Sequence, residues 1–481
     1  MQVPTRIEAL ARLIAMSEEN KRLKERNAEL EKQVDALRAK LDELEVRLAQ
    51  NSSNSNQPPS SDSPAQREAR PNRPATGRKR GGQPGHKGWK RTLLPPEKVD
   101  EKLDHYPERC RRAGCGRFLP RRSLGAPVRH QVAEIPDIKP RIVEHRLHSV
   151  ACECGKVTCA TLPDGVPHGM CGPKLMALVA LLTGVCRNGR RGAVQLLSDV
   201  LGIRISLGAL SATEARVSGA LAGPVEEARI YASEQATKNV DATSWLLAGK
   251  GRTLWTITTA FVTFFGIAAD ASRAGLRGLF AAVRGILITD RGTQFGFWAM
   301  QDRQICWAHL VRKFVSFAER KGPAGEIGMH LVLLARTILY AWHCVRDGTM
   351  PRRKFRAYMV NLRMAVENRL QEGVRLGVRG VSGSCADILD HRQAMWTFVD
   401  RDDVEPTNNA AERALRSFVL WRKTSGGSQS QRGLEFSARI MTVAQTLRKQ
   451  GRHVFAYLTQ ACEAALHGRP APSLLPAMST P

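Results

Sequence analysis

The sequence predicts an α/β sheet core with a helical insertion, preceded by an N-terminal coiled coil and a small cysteine-rich module. Three observations predict this. From Thr237 the chain turns to β-branched and aromatic runs, after which strands and helices alternate as far as Phe317. Residues from about 323 to 400 read as helices alone. The first 50 residues keep a heptad repeat.

In that repeat Leu13, Asn20, Asn27, Val34, Leu41 and Leu48 take position a, and Met16, Leu23, Leu30, Leu37 and Leu44 take position d. Leucine at d with asparagine at some a positions favours a parallel two-stranded coiled coil. Residues 51–66 are rich in Asn, Ser and Pro and read as a polar linker with nothing to bury. A basic, glycine-spaced tract follows, carrying Arg78, Lys79, Arg80, Lys87, Lys90 and Arg91. It reads as an arm that neutralises DNA phosphates without reading sequence, or as a merely solvated linker.

Cys110 and Cys115, then Cys152 and Cys154, form two close pairs around a segment that reads as strands at Val128–Val132 and Arg141–Val150. Close cysteine pairs outside an oxidising compartment favour a structural Zn²⁺ over disulfides, although Cys159 is a possible substitute ligand. From Gly172 the pattern is helical. Ala193–Leu201, a break at Gly202 and a helix begun by Ser206 fit a helix-turn-helix, and equally an ordinary packed pair.

The sheet is expected from strands Asn239–Leu247, Thr253–Thr259 and Phe261–Ala268, a helix at Arg273–Val283, a strand ending at Asp290, a short strand Gln304–Trp307 and a helix Ala308–Phe317. This α/β order resembles a ribonuclease-H-like fold. The expected divisions are 1–50 coiled coil, 51–100 disordered linker and basic arm, and 101–170 cysteine module. A helical DNA-binding segment at 171–235 precedes the first part of the catalytic core at 236–322. The helical insertion at 323–400 and the rest of the core with terminal helices at 401–481 complete the chain.

Lys and Arg number 73 against 45 Asp and Glu, a net charge of +28, with a pI near 10.3. Such a balance points to a polyanionic partner, nucleic acid first. No signal peptide is visible, and apolar runs such as Leu175–Val185 are too short to span a bilayer. The expected setting is the cytoplasm, without a membrane partner.

Three acids stand out. Asp241 lies in the first sheet strand, Asp290 ends the run Gly285–Asp290, and Glu412 lies in Pro406-Thr407-Asn408-Asn409-Ala410-Ala411-Glu412-Arg413. Acids at strand ends, joined by one on a helix, make a hard oxygen site for Mg²⁺ or Mn²⁺, and paired ions hold both oxygens of a phosphodiester in displacement. A plainer account is available for Glu412. Asn409 can cap a helix, with Glu412 closing a capping box three residues on.

Together these motifs resemble transposases of the insertion sequence 66 family over nearly the whole chain. The resemblance rests on the N-terminal zipper, the Asn/Ser linker, Arg80–Gly88, the cysteine module, Val240-Asp241-Ala242-Thr243-Ser244-Trp245, Cys306-Trp307-Ala308-His309-Leu310 and Glu405–Arg413. It implies a DDE-type catalytic triad at Asp241, Asp290 and Glu412, dependence on Mg²⁺, terminal inverted repeats as substrate, and helper proteins of the same element. It also implies a bacterial, nucleoid-associated protein working as a homodimer or higher oligomer on element ends and target DNA. Under it Arg413 is a candidate DNA contact, and His309, Asn408 and Asn409 are candidate neighbours of the active site. Ala242, Ser244 and Phe295 depart from the family's usual Glu, Gly and Tyr at those places. Two other classes fit the same features: a DNA-binding dimer that has lost its chemistry, and a ribonuclease-H-like nuclease with a different nucleic-acid substrate.

Overall fold

The computed structural model describes residues 6–55, 62–68 and 91–476. Of the basic arm, Arg78, Lys79, Arg80, Lys87 and Lys90 lie outside these residues.

The heptad segment is one helix, α1 (Arg6–Leu48). Its seam residues, from Leu13 and Met16 to Leu44 and Leu48, are all exposed on the single chain. A stripe of leucine left in water is a strong drive to associate, because burying each such side chain is worth about 1.5–3 kcal/mol. A peptide of residues 1–50 is expected to sediment as a dimer at tens of micromolar, the order where such zippers associate. A monomer there would refute the seam, and changing Asn20 and Asn27 to leucine should stabilise the peptide while loosening its choice of oligomer.

Residues 51–66 are not wholly the unpaired linker expected. Ser52, Asn54 and Asp62 are buried. Ser52 donates from its backbone N and its hydroxyl to the two carboxylate oxygens of Asp62, at 2.8 and 2.7 Å. Asn54 Nδ2 donates to Glu319 Oε2 at 2.6 Å. Short polar side chains satisfy one another here, so burial needs no apolar residue. The short helix α2 (Pro64–Glu68) follows.

The cysteine-rich stretch is mostly irregular and exposed. Its strands are β1 (Ser149–Ala151) and β2 (Val157–Cys159), an antiparallel pair. The strands expected at 128–132 and over most of 141–150 do not form, and Val128, Val132 and Ile142 are exposed. β-branched runs become strands only when a partner edge and a face to pack against exist.

From Pro173 the chain packs tightly. Helix α3 (Pro173–Ala180) runs into a π turn at Leu181–Val185, then α4 (Arg190–Leu201), α5 (Leu207–Ala220) and α6 (Ala222–Glu234) follow. Gly202 closes α4 in the left-handed region at φ 66°, and Ser206 Oγ accepts from Ala209 N at 3.1 Å to start α5. The predicted helix–glycine–helix pair is present. Its second helix buries Leu210, Thr213, Glu214 and Val217 against α3 and the C-terminal helices, which favours a packing role.

The sheet comprises β3 (Thr237–Leu247), β4 (Lys250–Thr258), β5 (Thr263–Ala268), β6 (Ile286–Thr289) and β7 (Arg303–Ile305) in the order β5-β4-β3-β6-β7. The first three strands form an antiparallel meander, while β6 and β7 are parallel to β3. The helix expected at Arg273–Val283 is only α7 (Arg273–Arg277). Helix α8 (Trp307–Ala318) leads into the insertion: α9 (Pro323–Arg346), α10 (Arg352–Arg375), α11 (Ser382–Asp390), α12 (Arg392–Met395) and α13 (Thr397–Asp400). α9 is long and apolar enough by composition to cross a membrane, but Ile327, Leu331, Ala335 and Ile338 are buried and it packs on α8 and α10. Helices α14 (Asn409–Ser425), α15 (Gln431–Lys449) and α16 (Val454–Leu466) close the fold.

Candidate active site

Strand register sets the site. Asn239 pairs with Ile288, the last pair between β3 and β6, and Thr289 pairs with Ile305 between β6 and β7. Continuing each strand places Asp241 level with Asp290, and Asp290 level with Cys306. Parallel neighbours at one level share a face, so one row crosses the carboxyl edge of the sheet.

Glu412, in the first turn of α14, joins that row from outside the sheet. Three clamps hold α14 on β3. Asn408 is fully buried; its Nδ2 donates to Val240 O at 2.8 Å, its Oδ1 accepts from Asn239 Nδ2 at 3.1 Å, and its backbone N donates to Cys306 Sγ at 3.1 Å. Trp245 packs edge-on against Phe418 and Trp421, at 5.3 and 6.1 Å between ring centres, and gives its N–H to Ser428 Oγ. Arg422 Nη1 donates to Thr243 Oγ1 at 3.2 Å and to Ser244.

The capping box expected at Glu412 does not form. The cap residue is Asn408 rather than Asn409, and no side chain caps the helix. The side chain that a cap would use is spent instead on the β3 backbone. Asn409 is half-buried on the first turn.

Asp241 is half-buried, and its carboxyl is pushed up to about 7. Burial is the main cause, and the charges of Asp290 and Glu412 add to it, against the Ala242 N–H and Arg312. Asp290 Oδ1 accepts from Gly292 N at 2.9 Å, which fixes its direction at the strand end. Glu412 Oε1 lies 3.3 Å from Arg312 Nη2 and 3.8 Å from His309 Nδ1. Both partners are on α8, one turn apart. Burial, then the charge of Arg312, hold the His309 imidazole below its usual range.

The raised carboxyl has a consequence for stability. Folded Asp241 binds a proton that the unfolded chain releases near pH 3.9. Stability from this group therefore falls as pH rises from about 4 to 7, and the full penalty is present above 7. Asp241→Asn is expected to melt higher than the wild type at pH 8, by on the order of 2–4 kcal/mol, with the gap closing below about pH 4. Melting curves across pH check this; a gap that does not change with pH would contradict it.

Arg413 is exposed, and its charge acts on Lys449, lowered to about 8 chiefly by burial. Arg91 is exposed and donates to Gln131 O at 3.0 Å. The sequence pattern gave no role to Arg312 or Cys306. The signal was available for Arg312, three residues after His309 on a helix.

The cysteine pairs each sit on a hairpin. Cys110 N donates to Arg117 O at 2.8 Å and Cys115 N to Arg112 O at 3.0 Å; Cys152 N donates to Lys156 O at 2.9 Å. Cys152 lies beside Cys154, whose N–H and thiol hold its pKa below the usual thiol value. Among the described residues, three metal-ligating atoms within 4.8 Å of one another occur at Cys306, His309 and Glu412, and not at these cysteines. Nor do the three carboxylates all come that close. Phe295 is buried edge-on to Trp255.

An acidic row at the edge of a mixed sheet, in a chain this basic, belongs to a protein class that works on nucleic acid. The sequence model of the Transposase IS66 family matches residues 168–436. That span exceeds half of the 481 residues, and the chain belongs to this family of transposases. A family of unknown function (DUF6444) matches residues 6–92. No curated protein matches the chain.

Proposed function

We propose that the protein is a DDE-type DNA transposase with a ribonuclease-H-like core. It binds the terminal inverted repeats of an insertion sequence, hydrolyses the phosphodiester at each end, and joins the freed 3′-hydroxyl to target DNA. The observation that carries this is the strand register that sets Asp241 level with Asp290, with Glu412 in the first turn of the helix clamped across β3. The strand order, a three-stranded meander followed by two parallel strands, supports the ribonuclease-H-like reading.

The residues suit Mg²⁺ or Mn²⁺. A half-buried carboxyl raised by burial and two neighbouring carboxylates gains most from a hard divalent cation. Asp241, Asp290 and Glu412 would hold it. Bound there, such ions would lower the pKa of the attacking water or hydroxyl and neutralise charge on the phosphoryl group. The chain's own part is positional. Asp290 is aimed by the Gly292 N–H, and Glu412 is set by the Asn408, Trp245 and Arg422 clamps. Arg312 holds Glu412 and brings a positive charge to an edge that must receive DNA phosphates. Arg413, beside Glu412, adds a phosphate contact near the site, and the basic arm with Arg91 adds contacts away from the chemistry.

The exposed α1 seam supports a homodimer, the family match supports DNA as the partner, and helper proteins of the same element are proposed to act with it. The cysteine pairs are proposed to hold a structural Zn²⁺ through Cys110, Cys115, Cys152 and Cys154; each pair stands on a tight turn, and binding would require the two turns to draw together. Elemental analysis is expected to find zinc in purified protein and to lose one equivalent in Cys152→Ser/Cys154→Ser. Equal zinc in both would move the ligands elsewhere.

The functional test is a cleavage and joining assay with purified protein, the element's ends, helper proteins and Mg²⁺. Cleaved and joined products are expected. Binding without cleavage would indicate a DNA-binding dimer, and cleavage only of other nucleic acids a different nuclease.

A further inference from the structure

We propose that Cys306, His309 and Glu412 form a second cation site, selective for thiophilic divalent ions such as Zn²⁺, and that an ion held there withdraws Glu412 from the catalytic carboxylates. The inhibitory part rests on the catalytic role given to Glu412 above; the site itself does not.

The three ligand atoms lie within 4.8 Å of one another. Each is placed by a different constraint. Cys306 follows β7, its backbone N donates to Thr289 O at 2.7 Å, and its side chain is 1% exposed. His309 is three residues on, one turn along α8, on the same helix face. Glu412 arrives on α14, tied by Asn408 to both the Cys306 sulfur and β3.

A second observation points to a ligand. His309 Nδ1 is buried and has no hydrogen-bond partner, with the nearest Glu412 oxygen at 3.8 Å. A buried ring nitrogen left unpaired is uncommon and calls for an explanation, an ion among them. Thiolate, imidazole and carboxylate together are a zinc donor set, with bonds of about 2.0–2.3 Å and a fourth position open to water. Mg²⁺ prefers oxygen alone. Two cation types would therefore sort along this edge, with Mg²⁺ among the carboxylates and Zn²⁺ toward Cys306, and Glu412 common to both. Binding would require modest closure of the three ligands and movement of Arg312, now 3.3 Å from the same Glu412 oxygen. The Asn408 N–H that reaches Cys306 Sγ can remain, since a metal-bound thiolate still accepts.

The test uses the full chain equilibrated in Zn²⁺-buffered solution, with wild type, Cys306→Ser and His309→Gln compared by elemental analysis and each checked for fold by circular dichroism. Serine keeps an acceptor for Asn408 but is a poor zinc ligand. Zinc on the other cysteines is common to all three proteins and cancels in the difference. Wild type is expected to hold one zinc more than either variant; equal contents in folded proteins overturn the site. If Cys306→Ser fails to fold, His309→Gln alone decides. In the second arm, Mg²⁺-dependent cleavage is titrated with Zn²⁺, each protein measured against its own zinc-free rate. The half-inhibitory zinc concentration is expected to rise at least about tenfold in Cys306→Ser. An extra zinc that leaves wild-type cleavage untouched would overturn the competition, and would count against Glu412 as a catalytic ligand rather than against the site.

Discussion

Glu412→Gln, Asp241→Asn and Asp290→Asn should each reduce end cleavage by about a thousandfold or more, on the scale of 4 kcal/mol of lost transition-state stabilisation, while DNA binding stays nearly intact. Each change keeps the shape of the side chain and removes one negative charge. At Asp241 the change also removes a carboxyl that burial and its neighbours have pushed up to about 7. Binding without metal is expected to hold or tighten slightly, because DNA phosphates repel the same carboxylates. Glu412→Gln is the most discriminating of the three. With no side-chain cap at the start of α14, a helix-capping role cannot account for a loss there. Glutamine would leave the helix in place and lose the ion pair to Arg312. Substantial cleavage by folded Glu412→Gln would remove it from the triad. Filter binding or mobility shift, run beside the cleavage assay, separates loss of chemistry from loss of DNA.

Asn408→Ala is the second large effect expected. The residue touches no reacting atom; it is a positioning residue that joins β3, the Cys306 turn and the Glu412 helix. Removing its side chain leaves Val240 O and Asn239 Nδ2 buried with a partner gone, costing on the order of 2–3 kcal/mol. Glu412 would then sit less firmly against Asp241, and cleavage should fall about a hundredfold, in keeping with a misplacement of about 1 Å. Loss of stability alone would lower the amount of folded protein and leave its metal dependence unchanged. A positioning role predicts in addition a higher Mg²⁺ concentration for half-maximal cleavage and partial rescue by Mn²⁺. An unchanged metal dependence in folded Asn408→Ala would reduce the residue to a structural one.

Element type was legible where the pattern was long and strongly periodic. The heptads of α1, the meander of β3, β4 and β5 and the two long helices of the insertion stand where the sequence puts them, within a few residues. In each, one face repeats apolar residues with a single period, and local preference agrees with burial. Legibility failed where partners decide. Val128 and Ile142 have strand preference and no strand to join, so they lie exposed. Ser52, Asn54 and Asp62 look like linker, yet they are buried, Ser52 paired with Asp62 and Asn54 with Glu319.

The candidate site divides the same way. The sequence by itself singled out Asp241, Asp290 and Glu412 as candidates, because they stand within a strand, at a strand end and at a helix start in motifs that can be read locally. It also determined the basic charge that calls for a polyanion. Tertiary structure alone decided what each acid faces. Register aligned Asp241, Asp290 and Cys306, although they are far apart in the chain. The packing of α14 across β3 made the side chain of Asn408 a brace to β3, and brought Arg312 and His309 onto Glu412. Hydrogen bonds and ion pairs between distant segments depend on distances that no local periodicity encodes, and those contacts exist only once the sheet and the helix have met.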